Sequence, residues 1–301
     1  MKVLVTGAKG FLGEYLCQEL KNLGHEVKHF RGDIKSFGDC KKNVKGNQAI
    51  YHLAAVLDES RKKELLEVNV KGTANIVEAS LKESVEHFVF ASSVSAMGNF
   101  GGRGTEETPL KPVTVYGRSK AEAEKIVWES QEMLPITILR PALVLGPNEY
   151  WKKVVGLIEK GFPLVGNGKN MFQMVYVKDV ASAMSFVLGK GECIGEIFIV
   201  AEENAKTLEE VYMLFQQELG KPGGIKKAPG WAGVLIAHLF SLKARVGGKT
   251  SFLTPELVGR ITKNRHYSIE KIKGIGWKPK YTTEQAVRET VKEILAEKFV
   301  E

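Results

Sequence analysis

A tyrosine and a lysine four residues apart, Tyr116 and Lys120 in VYGRSK, are the side chains of this sequence best suited by type and spacing to move a proton. Positions four apart share one face of a helix, so a phenol and an ammonium placed this way act on the same small region of space. A free tyrosine has a pKa of about 10, which leaves roughly one phenol in a thousand ionised at pH 7. Bringing that pKa near 7 takes ~4 kcal/mol of selective stabilisation of the phenolate, a task for nearby positive charge. Upstream, FASSVSAMG supplies the hydroxyls of Ser92, Ser93 and Ser95 as partners for a substrate oxygen. The pair alone is a frequent accident of helix surfaces, so its meaning rests on the surrounding segments.

The segment that would hold a reaction partner lies at residues 2–22. KVLVT is a β-branched run that ends in TGAKGFLG, followed by a helical pattern to Asn22. Gly7, Gly10 and Gly13 stand three apart, and each has a task that a side chain would obstruct: a tight turn, close backbone approach to a pyrophosphate, and close helix-strand packing. N–H groups at the helix start then face phosphate oxygens. This predicts a dinucleotide site, and an oxidised nicotinamide in it would add positive charge beside Tyr116.

Strand-like runs KVLVT, HEVKHF, QAIYHLAA, HFVFAS and ITILRP alternate with stretches long enough for helices. That alternation predicts right-handed βαβ units and a doubly wound parallel sheet, with ligand across the carboxyl ends of the strands. Beyond Gly146 the pattern turns irregular. GFPLVGNGKN reads as a loop, VYVKDVASAMSFVLG as a strand entering a helix, EIFIVAEE as a late strand, and Leu208 to Leu219 as a helix. No internal repeat or flexible linker divides the chain.

Bulk properties narrow the function classes. A chain of 301 residues, 44% hydrophobic, buries a substantial core. Cys17, Cys40 and Cys193 form neither a disulfide framework nor a zinc pattern, so metal-free chemistry in a reducing cytoplasm is expected. The net charge of +8 is spread among acids, with only a small cluster at Lys41 to Lys45, which argues against nucleic acid as a partner. No apolar run reaches membrane-spanning length and no secretory leader is visible. WAGVLIAHLFSL, Trp231 to Leu242, reads three ways: as a wall of an apolar pocket, as a helix touching a membrane surface or a subunit, or as a core helix. His238 reads as a packed or surface histidine rather than a ligand, and His52 as structural.

Taken in order, TGAKGFLG, HLAA (His52 to Ala55), VNVKGTANIVEAS (Val68 to Ser80), FASSVSAMG, VYGRSK, LRPALVLGP and MVYVKDVASA resemble the extended short-chain dehydrogenases/reductases, the NAD(P)-dependent epimerase/dehydratase superfamily. The resemblance implies an α/β, Rossmann-like doubly wound parallel sheet with a smaller C-terminal substrate-binding lobe. Residues 1–146, completed by elements around 172–201, would bind the dinucleotide; 147–171 and 202–301 would form most of the lobe. It casts Ser93, Tyr116 and Lys120 as the catalytic set. To the cofactor it assigns Gly7, Lys9, Gly10, Phe11, Leu12, Gly13, Arg31, Asp33, Ile34, Leu53, Ala54, Ala55, Asn69, Ala91, Ser92, Pro141 and Leu143 together with Tyr116 and Lys120. Val56, Ser93, Ser95 and Tyr116 would meet the substrate.

Arg31 after HEVKHF, with Lys9, favours NADP(H) through the 2′-phosphate, whereas Asp33 leaves NAD(H) open. PALVLGP and NMFQMVYV lack the Asn and Arg by which many sugar-nucleotide epimerases of the family hold a pyrophosphate. LRPALVLGP and the C-terminal stretch look instead like the dihydroflavonol-reductase and 3β-hydroxysteroid-dehydrogenase branch. The expectation is therefore an oxidoreductase acting on a small carbonyl or secondary alcohol, with homodimerisation implied by the family. The alternatives are a sugar-nucleotide 4-epimerase with retained NAD and a non-catalytic NADP-binding sensor or scaffold.

Overall fold

The computed structural model describes residues 1–246 and 254–298. Each run read as a strand in the first half is one: β1 (Lys2–Thr6), β2 (Glu26–His29), β3 (Ala49–His52), β4 (His87–Ala91) and β5 (Ile136–Pro141). Three short strands follow, β6 (Leu143–Leu145), β7 (Leu164–Val165) and β8 (Met174–Tyr176), before β9 (Glu196–Val200) and β10 (Lys227–Ala228). The main sheet is parallel throughout, in the order β2-β1-β3-β4-β5-β9.

The helices before the second half are α1 (Phe11–Asn22), α2 (Phe37–Val44), α3 (Lys62–Leu66), α4 (Gly72–Lys82) and α5 (Val115–Glu129). After them come α6 (Glu149–Glu159), α7 (Val177–Phe186), α8 (Leu208–Glu218), α9 (Gly230–Val246), α10 (Pro255–Ile261), α11 (Glu270–Gly274) and α12 (Thr283–Lys298).

Strands covered on both faces read as near-continuous apolar runs rather than alternating ones, as β1, β3, β4 and β5 largely do, whereas the edge strand β2 alternates exposed and half-buried residues. Val3, Val5, Tyr51, Val89 and Leu139 pack with Leu16 and Leu20 of α1 and Val180 and Met184 of α7. Leu4, Ile50, Phe88 and Ile136 face the other way, into Cys40 of α2, Ile76 of α4 and Val127 of α5. The three cysteines are all buried and free.

From β1 the chain moves outward to β2 and then crosses to β3 on the opposite side, which opens a crevice at the carboxyl ends of β1 and β3. A buried polar chain fixes that edge. The Thr6 hydroxyl accepts the N–H groups of Leu53 and Ala54, both at 3.1 Å, and lies 2.7 Å from His52 Nδ1. Its own proton therefore goes to Nδ1, leaving Nε2 to donate to Thr73 Oγ1 at 2.9 Å, while Thr73 donates to the Asn69 carbonyl at 2.6 Å. Burial first, and the charge of Lys120 second, hold the His52 pKa down to about 3, so the ring is a neutral structural strut.

The second half builds a smaller core around Trp151, Phe215, Val287 and Ile294, with β6 paired to β8 and β7 to β10. Asp179 on α7 accepts the N–H groups of Lys280 at 2.8 Å and Tyr281 at 3.1 Å, tying the approach to α12 onto the main sheet's helical layer.

Beneath the start of the second half lies a buried ion pair. Arg140 of β5 and Glu124 of α5 are 3% and 2% exposed. The guanidinium Nη2 lies 2.5 Å from the carboxylate, and Nη1 donates to the Glu106 carbonyl at 2.9 Å. Replacing Arg140 with Met takes the guanidinium from a buried Glu124 and leaves it only the Ser92 hydroxyl and the Lys120 charge. The expected loss is ~3–5 kcal/mol of unfolding free energy, read as a lower urea midpoint; an unchanged midpoint would show that Glu124 does not depend on its partner.

Candidate active site

The first two turns of α5 carry Tyr116 and Lys120, and local bonds fix where the helix begins. Thr114 caps it by accepting the Gly117 N–H at 2.9 Å, and the Val115 N–H reaches Glu59 Oε2 at 3.3 Å. Opposite stands the short turn Val94–Ala96 after β4, whose entry is fixed by the Ser95 N–H donating to Ser93 Oγ at 3.1 Å. The two turns meet at Gly117, where a Cβ would stand 2.5 Å from the Ser95 carbonyl oxygen. Only a glycine permits that approach, and it brings Tyr116 into hydrogen bonding with Ser93.

Burial dominates the Tyr116 phenol and pushes its pKa up to about 12, against the Ser93 hydrogen bond and the charge of Arg260, which both pull it down. Lys120 is 3% exposed. Its pKa is lowered to about 8 by burial, with the Glu124 carboxylate one turn further on holding it up. The ammonium lies 4.6 Å from the centroid of the Phe90 ring, on which His52 also stacks. At neutral pH the pair is thus a protonated phenol beside a charged ammonium, and the phenol needs further positive charge before it can act as a base.

The glycine turn suits that requirement. Gly7 sits at φ +69°, and a Cβ on Gly13 would stand 2.1 Å from the Gly7 carbonyl oxygen. Gly10 caps α1 with no side chain, so the N–H groups of the first turn are left for a ligand at the positive end of the helix. Gly7, Gly10 and the start of α1 share one cleft of about 470 Å³ with Ser93, Tyr116 and Lys120. A dinucleotide whose pyrophosphate rests on α1 and whose reactive ring lies by Tyr116 fits these residues.

The cleft also gathers Phe11, Leu12, Gly13, Leu53, Ala55, Ala91, Ser92, Ser95, Pro141 and Leu143, all expected there from the sequence. Ser92, however, donates to Glu124 at 2.5 Å, so its hydroxyl serves the buried ion pair.

The remaining candidates lie off the cleft wall, for identifiable reasons. Asn69 is buried and grips Val56 through both its N–H, at 2.7 Å, and its carbonyl, at 3.0 Å, while donating to Ser119 at 2.9 Å. It positions the segment after β3, with Val56 as its counterpart. Ala54 uses its N–H on Thr6. Ile34 is packed against Gly72, 7% exposed. Asp33 turns back to the Lys35 N–H at 2.9 Å. Lys9 and Arg31 are exposed, the Arg31 backbone being clasped by Asn43 at 2.9 and 2.8 Å.

Sequence reading missed the opposite wall. Arg260 of α10 and Arg265 line the cleft with Asn148, Tyr150 and Glu59. Arg265 Nε donates to the Arg260 carbonyl at 3.2 Å, and Arg260 Nη1 stands 3.9 Å from Glu59. Burial and the charge of Arg265 lower the Arg260 pKa. No motif marks these arginines; only the folding of α10 over the cleft brings them to Tyr116. An apolar chamber of about 130 Å³, between α6 and α8, shares Tyr150, Phe172, Leu257 and Ile261 with the cleft.

The profile of the NAD dependent epimerase/dehydratase family matches residues 3–201. The chain belongs to that family. It is similar to the uncharacterized UDP-glucose epimerase YtcB of Bacillus subtilis, 30% identical over 71% of this chain and 81% of that protein. It is 25% identical to the N-acetyl-alpha-D-glucosaminyl-diphospho-ditrans,octacis-undecaprenol 4-epimerase of Escherichia coli O157:H7, over 96% of this chain and 94% of that one. In fold it matches the crystal structure of Thermus thermophilus UDP-glucose 4-epimerase in complex with NAD, with a TM-score of 0.76 and 24% identity over 98% and 99% of the two chains. Membership carries enzyme chemistry with NAD and the Rossmann-type fold; the fold is as the sequence implies, whereas on the cofactor the sequence reading puts NADP(H) ahead of NAD(H).

Two substitutions test the catalytic pair. Tyr116→Phe is expected to lower turnover by ~10²–10⁴-fold while dinucleotide affinity, measured by fluorescence titration, stays unchanged. Lys120→Met should abolish turnover and also stabilise the fold. Because burial sets the folded pKa near 8, below the ordinary 10.5, the folded protein binds fewer protons between those values. This lysine's contribution to stability therefore rises with pH across that window and is least favourable below pH 8. Removing it should raise unfolding free energy at pH 7 by up to roughly 3 kcal/mol, a gain that shrinks as pH rises toward 10; thermal melts at several pH values read both.

Proposed function

We propose that this protein is an NAD-dependent epimerase that inverts a hydroxyl-bearing carbon of a sugar carried on a diphosphate. The observation that carries the reading is the placement of Arg260 and Arg265 in one cleft with Ser93, Tyr116 and Lys120. Two guanidinium groups facing a catalytic phenol suit a substrate that is neutral at its reacting carbon and anionic elsewhere. The names of the Bacillus, Escherichia and Thermus relatives, all of them epimerases, point the same way.

When bound, the nicotinamide supplies a carrier that takes up and returns one hydride and a ring that is positively charged while oxidised. In the first half-reaction Tyr116, as phenolate, removes the hydroxyl proton as hydride leaves the carbon, and Ser93 hydrogen-bonds the forming carbonyl oxygen. Lys120 holds the phenolate charge. Tyr116 then returns the proton to the same oxygen after the ketone has turned its other face, so no net oxidation accumulates. Arg260 and Arg265 hold the anionic end through both halves.

An oxidoreductase acting on an apolar ketone or alcohol is the second reading, favoured by the apolar chamber that shares Tyr150, Phe172, Leu257 and Ile261 with the cleft. On the cofactor, Arg31 keeps an exposed guanidinium at the end of β2, which supports acceptance of a 2′-phosphate as well.

The purified protein with added NAD should interconvert UDP-glucose and its 4-epimer without net NADH, followed by proton NMR of the anomeric signals. Stoichiometric NADPH oxidation with an apolar ketone and no epimer would overturn this in favour of the second reading. Arg260→Leu should raise the substrate KM by about tenfold or more with kcat less affected, the mark of lost ground-state binding. Arg31→Ala should weaken NADPH by about tenfold and spare NADH; equal weakening would remove the phosphate role.

A further inference from the structure

We propose that the outer face of α9 is a docking surface for an anionic lipid bilayer. Surface helices ordinarily turn polar side chains outward. Here the outward positions are Trp231, Leu235, His238 and Leu239, at intervals of four, three and one. Trp231 is 73% exposed, Leu235 54% and Leu239 59%, with Phe240 at 53%. The inward face is also apolar: Ala237 is buried in a small core with Val165 and Val258, and Gly233 sits against Val165. The helix is therefore apolar on both sides, although among the described residues only one side is covered.

Charge decides what covers the other. Lys221 and Lys226 stand exposed on the segment that enters the helix, in a chain of net charge +8, and no acid occurs in the sequence from Leu219 through Val246. A basic approach leading into an apolar helix with a tryptophan at its start matches headgroups above and acyl chains below. Among the described residues no helix is long and apolar enough to cross a membrane, so α9 would lie in the interface plane. Docked there, it would bring the catalytic cleft close to the lipid, because Val258 of α10 packs on it and Leu257 and Arg260 of the same helix line the cleft.

Membrane docking is separable from the reaction, since its test reads binding alone. The full chain is sedimented with phosphatidylcholine vesicles with and without phosphatidylglycerol. Binding to the phosphatidylglycerol vesicles is expected, weakened by salt, and Leu235→Glu with Leu239→Glu should reduce it by about tenfold or more. Both side chains are exposed, so the double variant should keep the wild-type thermal midpoint. Lys226→Glu, on a residue outside the core, should weaken binding to the anionic vesicles alone. Absence of wild-type binding, or equal binding by the double variant, overturns the proposal. So does wild-type self-association that the double variant abolishes without any vesicle binding, which would make the cover a second copy of this chain.

Discussion

A buried ammonium must be balanced, and much of this fold is arranged around that need. Lys120 lies under the cleft with almost no access to water, close to the flat face of Phe90. Glu124, one helical turn along, offsets its charge but is itself buried, and Arg140 from β5 answers it. Glu106 accepts from Arg140 through its carbonyl and takes the Ile199 N–H through its carboxylate at 2.8 Å. The charge relay thus ties α5 to β5 and β9, so the position of the catalytic helix is set by the central sheet.

The strands and the helical turn that sets Tyr116 four residues from Lys120 were legible because each depends on local pattern. Doubly covered strands read as near-continuous apolar runs, and VYGRSK carries its geometry in one helical turn. The glycine turn was legible for the same reason. Asn69 and Ile34 show the limit: their residue types suit a ligand, yet Asn69 holds Val56 and Ser119, and Ile34 fills the space beside Gly72. These uses depend on neighbours distant in sequence. PALVLGP after β5 and NMFQMVYV around β8 lack the Asn and Arg of many family epimerases; the guanidinium groups of the cleft come from Arg260 and Arg265, more than a hundred residues after Tyr116. Pattern within a window cannot register that approach.

The two walls of the cleft differ in kind. One is backbone and short side chains, supplied by the turns after β1, β3 and β4, and its shape follows from how closely those turns approach. The other is long and charged or aromatic, supplied by α10 and the residues around Asn148. A rigid wall fixes the reacting atoms, and a wall of longer side chains fixes what else the substrate must carry.

The order of strands has a consequence for how the protein is made. β9, the last strand of the main sheet, follows β6, β7 and β8 of the smaller half in the chain, so the sheet stays incomplete until residue 200 is available. Until then β5 presents an open edge that is buried along its whole length in the finished fold, from Ile136 to Pro141. Such an edge is a template for pairing with other chains. A fragment ending near Gly146 would hold Ser93, Tyr116 and Lys120 and still be prone to aggregate, and synthesis on the ribosome passes through that state each time.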